Sequence, residues 1–176
     1  MPFFGIPEKR SLDCTNLDFL LVNRFAPIVL AHRATLQDCG GFDPAFRASE
    51  DRDLWVRVSA RHRVHRLPDV LSSKRCHTSN MSGDWRQQDG GIRLVFARAG
   101  EQGYLRGWRR FWWLKIWSYH YYQLAMMQGT SNPIMAVGNL ARSILLWPVF
   151  PDRKHFDQKP LFRLRLLGWI VKGAGG

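Results

Sequence analysis

Residues 39–54 read Cys-Gly-Gly-Phe-Asp-Pro-Ala-Phe-Arg-Ala-Ser-Glu-Asp-Arg-Asp-Leu, and no other stretch restricts the local fold so tightly. Gly40-Gly41 can close a short preceding helix in the left-handed conformation, and Asp43-Pro44 then favours a turn. Ser49 is a predicted helix N-cap. Glu50, Asp51 and Asp53 follow in a first turn, where acids oppose the positive end of the helix dipole. The helix is expected over residues 50–61, with Arg57 placed four residues after Asp53 to pair with it. Cap and dipole chemistry accounts for all three acids, so this run taken alone leaves function open.

A longer order of residues narrows it. Asn23 is followed by Val29-Leu30-Ala31-His32-Arg33, Gly40-Gly41-Phe42-Asp43, Glu50-Asp51, Asp53-Leu54-Trp55, Arg57, Leu67-Pro68 and His77-x-x-Asn80-x-Ser82. Over roughly residues 16–84 this ordered set resembles the second half of a family 2 glycosyltransferase of the GT-A fold. The resemblance implies inverting transfer of a sugar from a nucleotide-sugar donor to an acceptor hydroxyl, the acceptor being a sugar or a lipid-linked sugar. It implies that Asp51, the second acid of the pair, is the catalytic base, because an acceptor hydroxyl needs a carboxylate within reach to take its proton. Glu50 is implied to touch the acceptor; pairing with Arg47 or Arg52 is its plain structural alternative. His77 falls where some members place a histidine near metal and diphosphate, the alternative being a loop histidine with no special role. A divalent cation, Mn or Mg, is implied by the family alone, and its principal ligands are not expected in this chain. Asp51-Arg52-Asp53 spells Asp-x-Asp, but it lies inside a helix rather than after a buried strand. Asp53 is therefore read as a structural acid and not as a metal ligand.

The expected fold class is α/β. Residues 1–83 form the acceptor-side half of a GT-A domain, with strands near 26–31, 63–67 and 70–76, and residues 84–176 form a basic, aromatic, helical region. Met1–Thr15 are too short and turn-rich for a nucleotide-binding sheet. The donor-binding half is thus expected elsewhere, on a longer product or on a partner. The competing reading is a non-catalytic half-domain that binds a membrane surface or a partner. A sheet this small has an exposed edge, so marginal stability or self-association is expected. Phe42, Phe46 and Trp55 are read as core before sugar subsite. Cys14, Cys39 and Cys76 have no metal or redox spacing and read as reduced thiols, while His62 and His65 read as exposed. No secretory signal is recognised at Met1, which gives a cytoplasmic location as the expectation.

Beyond residue 84 three helical stretches are predicted. The first runs from about Tyr104 to Gln128 with Gly129 as its stop, and its apolar residues cover too much of the wheel for one buried stripe. The second starts at Asn132-Pro133 and runs to Trp147; it is too interrupted to span a bilayer. The third, Pro160–Lys172, suits a short interfacial segment with snorkelling arginines. A net charge of +12 calls for a polyanionic neighbour. Tryptophan mixed with Arg and Lys favours an anionic membrane surface, at the cytoplasmic face of the inner membrane, over nucleic acid, for which no module is recognised.

Overall fold

The computed structural model describes residues 12–22, 29–67, 84–129, 131–148 and 162–174. The chain divides into two units, Met1–Tyr104 and Leu105–Gly176. The fold is mostly helical, and the described residues hold one small sheet.

The N-terminal unit begins with β1 (Leu12–Cys14) and α1 (Asn16–Leu21). A reciprocal cap starts α1: the Thr15 hydroxyl accepts from the Asp18 amide, and the Thr15 amide donates to Asp18 Oδ2 at 2.7 Å. Phe19, Leu20 and Leu21 are fully buried and pack on α3 (Glu50–Arg61), whose Leu54, Trp55, Val56 and Val58 are buried in turn. Between them α2 (Arg33–Asp38) ends at Gly40 and Gly41, both left-handed with φ of 80° and 62°. The Phe46 amide then closes the Asp43-Pro44 turn by donating to the Asp43 carbonyl at 3.1 Å. The Gly40-Gly41 stop, the Asp43-Pro44 turn and the bounds of α3 follow the sequence expectation, whereas α1 and β1 had no counterpart in it.

Among the described residues, β2 (Val64–Arg66) coincides with an expected strand, and it pairs antiparallel with β1 in the register Leu12↔Arg66, Asp13↔His65, Cys14↔Val64. Residues 29–31, expected as the end of a strand, are irregular and exposed, with Leu30 wholly in solvent, so no burial holds them extended. Residues 26–28 and the expected strand 70–76 lie outside the described residues.

The helix α4 (Trp85–Glu101) lies in the region expected to be helical but is not one of the three stretches given bounds there; Gly90-Gly91 sits in its middle, and glycine disfavours helix interiors. Tertiary packing overrides that propensity. A Cβ on Gly91 would lie 2.2 Å from the Ala48 carbonyl oxygen, so only glycine lets α4 approach the segment leading into α3. Asp84 caps α4 by accepting from the Arg86 amide at 2.9 Å, and Ile92, Val95, Phe96 and Ala99 supply its buried face.

The C-terminal unit holds a 3-10 turn (Gly107–Phe111), α5 (Trp112–Gln128), α6 (Pro133–Leu146) and α7 (Phe162–Ala174). The single helix expected from Tyr104 thus begins as an exposed 3-10 turn, which starts at a left-handed Gly107. The α6 helix packs on both α5 and α7. Tyr122, Ala125 and Leu140 form its core with Met126, Ile144, Leu166 and Leu167 around them. Several buried polar groups are paired across the helices. Ser118 Oγ donates to the Ser143 carbonyl at 2.7 Å and accepts from Arg163 Nη2 at 2.8 Å, and Asn139 Nδ2 donates to Gln128 Oε1 at 2.9 Å. The Lys115 ammonium is buried over the rings of Trp112 and Trp147, at 4.8 and 5.8 Å. Much of the apolar surface of α5 is therefore met by neighbouring helices, while Leu114 stays exposed. Among the described residues, no helix is long and apolar enough to cross a membrane.

Candidate functional site around the start of helix α3

Helix α3 begins where expected, but not in the expected way. Ser49 occupies the N-cap position at φ 63°, ψ 21°, the sole non-glycine residue with positive φ among those described, and makes no side-chain cap bond. Such a conformation costs about 1–3 kcal/mol and persists where surroundings enforce it. Here the Ser49 hydroxyl donates to Gln88 Oε1 at 3.2 Å, and α4 presses on Ala48 through Gly91. The cap signal was correct for position and wrong for mechanism, because the bonding partner lies 39 residues away.

The four charged residues that follow divide into two pairs. Arg52 and Asp53 are buried, whereas Glu50 and Asp51 remain partly exposed. Arg52 donates through Nε to the Phe19 carbonyl and through Nη2 to the Leu20 carbonyl, both at 2.7 Å, and its guanidinium lies over Phe96. These carbonyls belong to the last turn of α1, which has no helical donors of its own. Burial pushes the Arg52 pKa down to about 10, and the Asp51 carboxylate partly offsets this.

Asp53 is held from two sides. Arg57 donates to its Oδ2 from Nη2 at 2.7 Å and from Nε at 2.9 Å, and Arg98 of α4 stands 4.0 Å from Oδ1. Arg57 also donates to the Cys39 and Gly41 carbonyls, so the Gly-Gly turn is tied to α3. Arg98 reaches Asp43 Oδ2 at 2.5 Å and covers the Phe46 ring. Asp53 is accordingly a structural acid, as its spacing to Arg57 indicated.

Asp43 accepts from the Ala45 amide at 2.8 Å, and this bond, followed by that from Arg98, holds its carboxyl below the ordinary carboxylate value. Its contribution to stability is present above that ordinary value and is lost as pH falls through the lower folded value. Thermal melts between pH 5 and pH 2.5 should therefore fall more steeply for the parent chain than for Asp43→Asn.

The fit to a divalent cation is poor. Among the described residues no three His, Cys, Asp or Glu side chains converge, and Asp53 is occupied by arginines. His77, like Asn80, Ser82 and Cys76, lies outside the described residues. His62 and His65 are exposed as expected, and His65 Nδ1 meets Asp13 Oδ1 at 2.6 Å across the sheet. Phe46 and Trp55 are core, but Phe42 is not: it is 58% exposed beside Gly41. Cys14 and Cys39 are both buried.

A shallow cleft of about 270 Å³ opens next to this region between residues 45–48 and α4, lined by Phe46, Arg47, Arg86, Gln87 and Leu94 among others. Glu50 and Asp51 do not line it, and Ser49 separates them from it in sequence. Sequence reasoning missed Arg52, Arg98 and Gly91 as the residues that set the acid pair in place. The available signal was a glycine pair inside an otherwise helical stretch. No protein-family model matches the chain, and neither does any curated protein or solved structure.

Proposed function

We propose that the chain is the acceptor-side half of an inverting, family 2-like glycosyltransferase acting at the cytoplasmic face of a membrane. Asp51 serves as base and Glu50 contacts the acceptor. One observation carries this reading: α3 commits Arg52 and Asp53 to buried contacts while leaving Glu50 and Asp51 partly exposed at its first turn. A carboxylate so placed can accept a proton from a sugar hydroxyl as the bond to the nucleotide breaks. Because Arg52 anchors the same turn of helix, Asp51 is held in a fixed direction, which is what aiming a hydroxyl requires. Asp51 Oδ1 accepts from the Arg52 amide at 2.7 Å, which further fixes the direction of the carboxylate. Donor binding is assigned to a nucleotide-binding half beyond the described residues, and no step is assigned to a metal.

The test is transfer of labelled sugar from a panel of nucleotide sugars to membrane-extracted acceptors, using the native product that contains this chain. Asp51→Asn is expected to lower transfer by about a hundredfold or more, the usual size of a lost general base, while nucleotide retention stays at the parental level. Transfer at the parental rate would remove Asp51 from the mechanism.

A further inference from the structure

Two of the most exposed rings of the C-terminal unit, Trp108 and Phe111, lie beside three exposed arginines in the turn before α5. Three contacts define this end of the unit. The Phe111 ring meets Trp147 edge-on with centroids 5.5 Å apart, Arg163 donates to the Trp147 carbonyl, and Arg163 also reaches Ser118. The 3-10 turn before α5, the C-terminus of α6 and the start of α7 therefore lie together. Every residue from Arg106 to Phe111 is exposed, with Trp108 at 81% and Phe111 at 62%, and Leu145 near the end of α6 is also 81% exposed. Scattered exposed apolar residues are ordinary, but a tryptophan, a phenylalanine and a leucine exposed at one end form a patch that wants an apolar neighbour. That neighbour must also be anionic. Arg106, Arg109 and Arg110 interleave with the aromatics, and the sequence from Leu105 to Phe150 contains no Asp or Glu to neutralise them.

We propose that this end of the C-terminal unit docks on an anionic lipid surface. Trp108 and Phe111 enter the headgroup layer, and Arg106, Arg109 and Arg110 face lipid phosphates. Indole and phenyl rings favour that depth, and arginine beside them gains both from phosphate contact and from the negative surface potential. Single-stranded nucleic acid also accepts arginines and stacked rings, but an exposed aliphatic Leu145 offers it nothing to stack on. The docking element of this proposal is the turn before α5. The assignment does not depend on Asp51 being a base.

Co-sedimentation of the whole chain with phosphatidylcholine vesicles, with and without about one-third phosphatidylglycerol, tests it. The chain is expected to partition at least about tenfold better onto the anionic vesicles, and this preference should shrink as salt rises. Replacing Arg106, Arg109 and Arg110 together by Gln should weaken that binding by about a hundredfold. Trp108→Ala should weaken binding and leave the circular dichroism unchanged, because the side chain is exposed. Lys172→Gln, in the last turn of α7 and away from this end, should leave binding as it was. Equal partitioning onto both vesicles, no effect of the triple arginine variant, or release of the chain from vesicles by equimolar single-stranded RNA would each overturn the proposal.

Discussion

Arg52→Ala is expected to destabilise the N-terminal unit by about 3–5 kcal/mol, the largest effect of any single change outside the apolar core. Two carbonyls at the end of α1, Phe19 and Leu20, take their hydrogen bonds from this one guanidinium. Losing it removes a charge-assisted bond from each of two buried acceptors, at about 1–3 kcal/mol each, and opens space over Phe96. Lysine is not an adequate replacement. The burial that lowers the guanidinium to about 10 would bring an ammonium, with an ordinary value of about 10.4, towards neutrality at working pH. Its single head also cannot reproduce the fork that reaches two carbonyls. Arg52→Met should recover only the packing over Phe96. Urea unfolding followed by far-ultraviolet circular dichroism would measure the series. An Arg52→Ala variant within about 1 kcal/mol of the parent would show that water reaches these carbonyls and that the clamp is dispensable.

Gly91→Ala should cost about 3 kcal/mol, at the upper end for overpacking, whereas Gly90→Ala should be neutral or stabilise by up to about 1 kcal/mol. The two glycines are adjacent in the same helix and differ only in what they face. Nothing lies within 4 Å of a Cβ on Gly90, while a Cβ on Gly91 would meet the Ala48 carbonyl oxygen at 2.2 Å and its carbon at 2.8 Å. Both obstacles are backbone, so relief requires α4 to move away from the segment that holds Ser49 left-handed. Gly91→Ala should consequently also lower any activity that depends on Asp51, by loosening the start of α3. Equal melting temperatures for the two variants would contradict this packing.

Local chemistry was legible and long-range chemistry was not. The bounds of α3, the Gly40-Gly41 stop, the Asp43-Pro44 turn, the Asp53–Arg57 pair and the Asn132-Pro133 start each depend on residues within a few positions of one another. Ser49 and Arg52 look just as local in sequence, as a cap and a partner for Glu50. Yet their side chains bond 39 and 33 residues away, distances over which no spacing rule operates. Helix α4 escaped for the opposite reason: its glycine pair signals a break unless one knows that another backbone lies against it. In the expected strand 26–31 the described end, residues 29–31, is not extended into a strand because an apolar run forms one only where something covers it, and Leu30 is bare. Of the acid pair, the sequence indicated which residues to watch. Only the fold distinguishes the two that are anchored from the two that are partly exposed.

The Ser118, Ser143 and Arg163 contacts inside the C-terminal unit have a consequence for how its helices can move. Apolar helix faces tolerate sliding, since one leucine replaces another against the same neighbour. Hydroxyls and a guanidinium do not, because a shift of one turn, about 5.4 Å, would break the Ser118–Ser143 and Arg163–Ser118 bonds at once and bury every partner unsatisfied. The helices are thus keyed like a lock with one seated position. Whatever the exposed turn before α5 touches is presented by a rigid mount.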